Sequence, residues 1–117
     1  MVEVSRLSED DWQLWRTLRQ SALTEAPDAF GATLAEWTGD GDSESRWRNR
    51  LQTVPLNVVA FVQGQPSGMV SATMASENDA KLISMWVAPH CRSNGIGDAL
   101  VDVQIRPAMG ANAFTVL

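Results

Sequence analysis

Apolar and polar positions change period several times along the chain, and each change marks an element. Val2-Glu3-Val4-Ser5-Arg6 alternates, as a strand with one buried face does. From Trp12 the period lengthens. Trp12, Trp15, Leu18 and Ala22 fall on one helical stripe, widened by Leu14, which predicts a helix to about Thr24 with that stripe against a core. Ser8-Glu9-Asp10-Asp11 supplies a cap and an acidic first turn, and Pro27 ends the element. Residues 25–42 lose the period, and Gly39-Asp40-Gly41-Asp42 predicts a loop, with Phe30 and Trp37 expected to cover the core. Asp42 or Ser43 then caps a second helix that turns Trp47 and Leu51 inward. Arg46, Arg48 and Arg50 lie at different angles around it and are expected to form a solvated surface.

Leu56 to Val62 is a continuous apolar, β-branched run, a buried strand. Gln63-Gly64-Gln65 turns it, and Gly68 to Ala75 returns as an antiparallel partner. Ser76-Glu77-Asn78-Asp79 makes the next turn. Leu82 to Val87 is the central strand, and it stops before Pro89, which has no N–H for a ladder. Ile96, Leu100 and Val103 predict a helix from near Gly95. Arg106-Pro107 stops it, and Ala113 to Leu117 has strand character again.

The 117 residues bound the chain at one domain, and a hydrophobic content of 44% is enough for a real core. A single cysteine, Cys91, excludes an internal disulfide framework and points to a reducing compartment. The chain has no 18-residue apolar run and no signal-like start, so a soluble, cytoplasmic protein without membrane contact is expected. The net charge of −5 argues against a nucleic-acid surface. It is compatible with a cationic amine as partner, but solubility alone explains it as well, and a solvated acidic face is the favoured reading.

Chemistry concentrates where the central strand meets the helix, at Arg92-Ser93-Asn94-Gly95-Ile96-Gly97. A helix start leaves backbone N–H groups without partners and carries partial positive charge. Glycines let an anion approach those groups, and Arg92 adds forked donors. This is the composition of a pyrophosphate cradle. A dinucleotide fingerprint would need a small residue at the position of Leu100, and a P-loop needs Gly-Lys-Ser/Thr, which the chain lacks. An ordinary strand–helix connection with an Asn94-Gly95 turn is the plain alternative.

These residues resemble the acetyl-CoA signature of the GNAT superfamily of N-acetyltransferases, Arg/Gln-x-x-Gly-x-Gly/Ala, standing here as Arg92-x-x-Gly95-x-Gly97 after Val87-x-Pro89. Ala26-Pro27-Asp28-Ala29-Phe30-Gly31 is similar to the family loop that walls the acceptor pocket. The resemblance implies an α+β fold, a mostly antiparallel mixed sheet flanked by helices, lacking the family's last helix and two strands. Residues 1–117 would be one partial domain. It implies acetyl transfer from acetyl-CoA to a primary amine of a small molecule or protein. Met85, Trp86 and Val87 would pair with the pantetheine arm, and Arg92, Ser93, Asn94, Gly95, Ile96 and Gly97 would hold the pyrophosphate. Two alternatives stand beside this: a CoA-binding remnant with weak or no catalysis, and a self-associating structural module.

The chain also departs from the family. It has no tyrosine, and the part that usually carries a protonating tyrosine in the family is missing, so slow turnover is expected and no catalytic base or acid is nominated. Glu77 and Asp79 read as solvated turn acids. His90 and Cys91, adjacent and without further ligands, do not make a zinc site. A final strand at 113–117 would expose an edge, so a homodimer or larger assembly through it is expected.

Overall fold

The computed structural model describes residues 2–26, 34–74, 79–92, 95–100 and 113–116. Strand β1 (Val2–Arg6) leads through a short 3-10 turn at Glu9–Asp11 into α1 (Trp12–Glu25). Ser8 caps the turn: its Oγ accepts the Asp10 N–H, and its own N–H donates to the Asp11 carboxylate at 2.9 Å. Two further 3-10 turns, Leu34–Trp37 and Gly39–Gly41, occupy the second half of the expected loop; residues 27–33, with Phe30, lie outside the described residues. Helix α2 (Glu44–Thr53) is capped by Ser43, whose Oγ accepts the Arg46 N–H. Asp42 does not cap it. Its carboxylate instead takes both forks of Arg16, at 2.7 and 2.5 Å, and the Trp47 indole N–H at 2.7 Å, locking α1 to α2.

Strands β2 (Leu56–Val62), β3 (Gln65–Met74) and β4 (Asp79–Val87) follow as antiparallel neighbours. Gln63 and Gly64, both at positive φ (51° and 78°), close the first hairpin with a two-residue turn of the kind that matches strand twist. β4 begins at Asp79, earlier than the apolar run suggested, because Asp79, Ala80 and Lys81 still pair, with Ala113, Phe114 and Thr115 of β5 (Ala113–Val116). β5 runs parallel to β4, and the five strands lie in the order β1-β2-β3-β4-β5. The described part of α3, Ile96–Ala99, starts after Gly95.

The sheet is buried on both faces. Trp15, Leu18 and Ala22 of α1 and Trp47 and Leu51 of α2 pack against Val59, Met69 and Trp86 on one face. Ile96, Leu100 and Cys91 pack against Val58, Val70 and Leu82 on the other. Trp37 leans on Trp47, with ring centroids 4.4 Å apart, and the Arg46 guanidinium lies 4.0 Å above the Trp37 ring. The arginines of α2 therefore do not share one solvated role. Arg48 stays on the surface and pairs with Glu44 and Asp10. Arg50 turns inward, because its position on the helix faces the sheet, where polar side chains of β2 and β3 receive it.

Candidate active site

The central irregularity of the sheet is on β4. Met69 pairs with Trp86 and Ser71 with Ile83, so Val70 alone faces both Ser84 and Met85. The extra residue is a β-bulge, and Ser84 takes φ +57°, a left-handed conformation that a residue with a Cβ adopts at a cost. The bulge shifts the alternation of side chains. Leu82, Met85 and Val87 join the face under α3, whereas Trp86 joins the face under α1 and α2. Strict alternation from Leu82 would have put Trp86 on the α3 face.

β5 pairs with β4 only from Asp79 to Leu82. Beyond that point no described strand covers the same edge of β4, so among the described residues Ile83 to Val87 have no partner strand on that side, next to the bulge. This is a place where an extended ligand can add as a strand.

The open edge leads into the turn to α3. A 3-10 turn at Pro89–Cys91 carries the chain off the strand, and the Ala88 N–H donates to Ser67 O at 2.8 Å, fixing its start. Gly95 stands at the N-cap of α3 with φ +73°, and a Cβ built there would meet nothing within 4 Å. Glycine is present for its backbone angle, and the space beside it is clear. Gly97 has the opposite reason: a Cβ there would come within 3.1 Å of Met85 Cε, so the first turn of α3 rests directly on the strand. Ile96 is buried between them as the anchor. The first-turn N–H groups have no intrahelical partners, and the site therefore fits an anionic group approaching the backbone. Ser93 and Asn94 lie outside the described residues.

Arg92 is placed differently from its expected role of aiming charge into the turn. Its Nε donates to Val87 O at 3.1 Å, and Nη2 donates to Glu25 Oε2 at 3.0 Å. The same Glu25 oxygen accepts the Trp86 indole N–H at 3.0 Å. The Trp86 indole, and after it Arg92, hold the Glu25 carboxyl below the usual carboxylate range. The last residue of α1 is thus tied to both β4 and the signature turn. A shallow groove of about 500 Å³ runs along α1 from Arg16 to this glutamate, lined by Thr17, Gln20, Ser21 and Thr24. The three hydroxyls lining it donate to backbone carbonyls of their own helix, at Gln13, Thr17 and Gln20.

Behind the bulge lies a polar network. Arg50 Nη1 donates to Asn57 Oδ1 at 2.9 Å, and Nη2 reaches Ser71 Oγ at 3.1 Å and Ser84 Oγ at 3.4 Å. Ser71 donates to Asn57 Oδ1 at 2.6 Å, and Asn57 Nδ2 donates to Leu51 O and Val54 O. Burial, and then the charge of nearby Arg19, push the Arg50 guanidinium down to about 10; burial does the same to Arg19. Both remain cations at neutral pH.

The structure therefore brings together Met85, Trp86, Val87, Arg92, Gly95, Ile96 and Gly97. Sequence reasoning missed Glu25, Arg50 and Ser84. A serine at positive φ carries no sequence signal, since it is not one of the usual left-handed residue types. Among the described residues no group of three or more His, Cys, Asp or Glu gathers in metal-binding fashion, and no helix is long and apolar enough to cross a membrane.

Comparison with known proteins now bears on this arrangement. An aminoglycoside acetyltransferase from an uncultured soil metagenomic sample superposes with a TM-score of 0.75 at 22% identity, over 100% of this chain and 79% of that one. A ribosomal-protein-alanine N-acetyltransferase from Brucella melitensis gives 0.71 at 17% identity, over 99% and 79%. The PaiA N-acetyltransferase of Thermoplasma acidophilum, in complex with coenzyme A, gives 0.68 at 19% identity, over 94% and 72%. No curated protein sequence matches the chain significantly. The model of the acetyltransferase (GNAT) family matches residues 9–115, nearly the whole sequence and all of the site, and the chain belongs to that family.

Proposed function

We propose that the protein binds acetyl-CoA along the open edge of β4 and transfers its acetyl group to a primary amine of a small molecule or protein. One observation carries the reading: the bulge at Ser84 interrupts β4 where no described strand pairs with its outer edge, on the strand that leads to the Gly95 start of α3. Met85, Trp86 and Val87 receive the pantetheine arm as an added strand. The backbone of residues 92–97, with Gly95 and Gly97, receives the pyrophosphate. That a family relative was crystallised with coenzyme A supports this assignment.

The chemistry follows from position. A neutral amine attacks the thioester carbonyl carbon; the C–N bond forms, the C–S bond breaks, and the proton that the new ammonium gives up is balanced, through solvent, by the one the departing thiolate takes up to leave as CoA thiol. Backbone N–H groups at the bulge stabilise the carbonyl oxygen as it gains charge. Alignment beside the thioester supplies much of the acceleration. No side chain of this chain is assigned as general base or acid, so turnover is expected below about 10 per second, the median for enzymes.

The test is thiol release from acetyl-CoA with a panel of amines, run beside calorimetry with acetyl-CoA. Binding with amine-dependent release supports transfer. Binding without release leaves a CoA-binding module, and the absence of binding removes the reading. In the cytoplasm the 117-residue chain acts as a homodimer or larger species through the β5 edge, which lies at the margin of the described sheet.

A further inference from the structure

The polar network behind β4 is more than a route for satisfying buried groups. Arg50 is a cation on α2 whose hydrogen-bond partners, Asn57, Ser71 and Ser84, are all neutral. Its guanidinium lies 5.3 Å from the centre of the Trp15 ring, at the outer range of a cation–π contact. Filling this space with an apolar side chain would avoid taking a charge out of water. What the arginine does that an apolar residue could not is join three strands at one point. Asn57 is on β2, Ser71 on β3 and Ser84 on β4, and Ser84 is the bulge residue.

Ser84 needs such a tether. It is held at φ +57°, where a non-glycine residue is strained, and strain of this kind persists only when the surroundings over-determine it. Ser84 is 9% exposed, so water is a poor substitute as a hydrogen-bond partner. The other two anchors are fixed independently: Ser71 Oγ donates to Asn57 at 2.6 Å, and Asn57 is held by the end of α2 through Leu51 O and Val54 O. Arg50 therefore transmits the position of α2 to the bulge.

We propose that Arg50 is a positioning residue for the acyl site: by gripping Ser84 it keeps the bulge in its left-handed form and so sets the direction of the backbone N–H groups that β4 turns to its open edge. The inference rests on the reading of that edge as the acetyl-CoA site. Arg50 touches no reacting atom. It acts through Ser84, and its effect depends on Ser84 having a Cβ. Glycine at 84 would adopt the same angle without strain and would no longer need the grip.

That dependence supplies the test. Arg50→Met fills the space beside Trp15 but donates no hydrogen bond. The wild type, Arg50→Met, Ser84→Gly and the double variant are compared by calorimetry with acetyl-CoA and with CoA, and by amide NMR shifts of residues 83–87 with each ligand. In the wild type, acetyl-CoA and CoA shift the amides around Ser84 differently, because only acetyl-CoA carries the thioester carbonyl. Arg50→Met loses that difference, and its acetyl-CoA affinity falls about tenfold. Ser84→Gly is the reference against which the double variant is read: adding Arg50→Met to it brings no further loss of the amide difference or of affinity, so the double variant binds better than Arg50→Met alone. Arg50 serving only to fill the core would show no recovery, since glycine at 84 adds no packing.

Should Arg50→Met fail to fold, Arg50→Lys keeps the stem and one donor direction; a partial loss that Ser84→Gly restores is then expected. Wild-type behaviour of the Arg50 variants, or a double variant no better than the single, overturns the inference while wild-type binding leaves the acetyl-CoA reading standing. A wild type that binds neither ligand removes that reading, and the inference with it.

Discussion

Glu25, the last residue of α1, and Arg92, on the turn that follows β4, form an ion pair at 3.0 Å across 67 positions of sequence. In this arrangement the signature arginine is already partnered within the chain. A guanidinium that already donates to a carboxylate and to Val87 O brings little uncompensated charge to a pyrophosphate. Its larger effect is to hold the turn against the end of α1. Arg92→Ala is accordingly expected to lower acetyl-CoA affinity by less than about fivefold, well under a full decade of binding constant. Calorimetry at fixed ionic strength measures it. A loss of two decades would mean that the side chain leaves Glu25 and grips the ligand directly.

The two glycines of the turn should respond differently to the same change. Gly95 lies at φ +73° in clear space, so Gly95→Ala meets backbone strain of roughly 1–2 kcal/mol, and Gly95→Asn, which tolerates that angle, less. Gly97 has an ordinary angle but sits 3.1 Å, at its ideal Cβ, from Met85 Cε. The methionine tip is flexible, so Gly97→Ala is expected to cost under about 1 kcal/mol. Urea unfolding of the three variants checks the order. Gly95→Glu or Gly97→Glu places bulk and negative charge where the phosphates would lie, and either should reduce acetyl-CoA affinity by about an order of magnitude or more. Unchanged affinity in both would refute the site.

Most of this was legible in the chain because local rules and tertiary packing agree. The Trp12–Ala22 stripe, the Gln63-Gly64 turn and the glycine start of α3 each obey their own periodicity or backbone demand. Ser84 and Arg50 were not legible. An apolar run from Leu82 to Val87 reads as continuous strand, and nothing in it announces that one residue is extra. Arg50 sits among other arginines on a helix of polar character, and only the position of β2 and β3 decides that it turns inward. Glu25 was hidden for a similar reason, since its partners are supplied by β4 and the following turn. Asp42 and Ser43 are both residue types that cap well, so the sequence alone does not choose between them; Arg16 and Trp47 choose, by claiming the Asp42 carboxylate.

That claim has a pH consequence. Arg16, then the Trp47 indole, hold the Asp42 carboxyl well below the usual carboxylate range. A group whose folded value is depressed contributes stability that is complete above its unfolded value, near about 4. The contribution fades as pH falls through that value toward the lower folded one. Asp42→Asn removes the charge and with it this part of the acid dependence. Between pH 5 and pH 2 the wild-type melting temperature should therefore fall more steeply than that of the variant. Parallel profiles would show that the contact between α1 and α2 does not depend on the ionised carboxylate.

The remaining prediction concerns the margin of the sheet. β5 pairs with β4 on one side, and no described strand pairs with the other. An edge strand carries a row of N–H and C=O groups that another chain can satisfy, and proteins guard such edges with charge, proline or a covering element. Ala113-Phe114-Thr115-Val116 contains neither a charge nor a proline. A two-fold arrangement lets each copy satisfy the other with the same surface, so the contact closes on itself without growing into a fibre. The 117-residue chain should therefore sediment as a dimer or larger species, and the association should weaken when Thr115→Lys puts a charge on the edge. Light scattering that finds a monomer at high micromolar concentration would exclude edge pairing. So would a dimer that Thr115→Lys leaves at full strength, since the contact would then lie elsewhere.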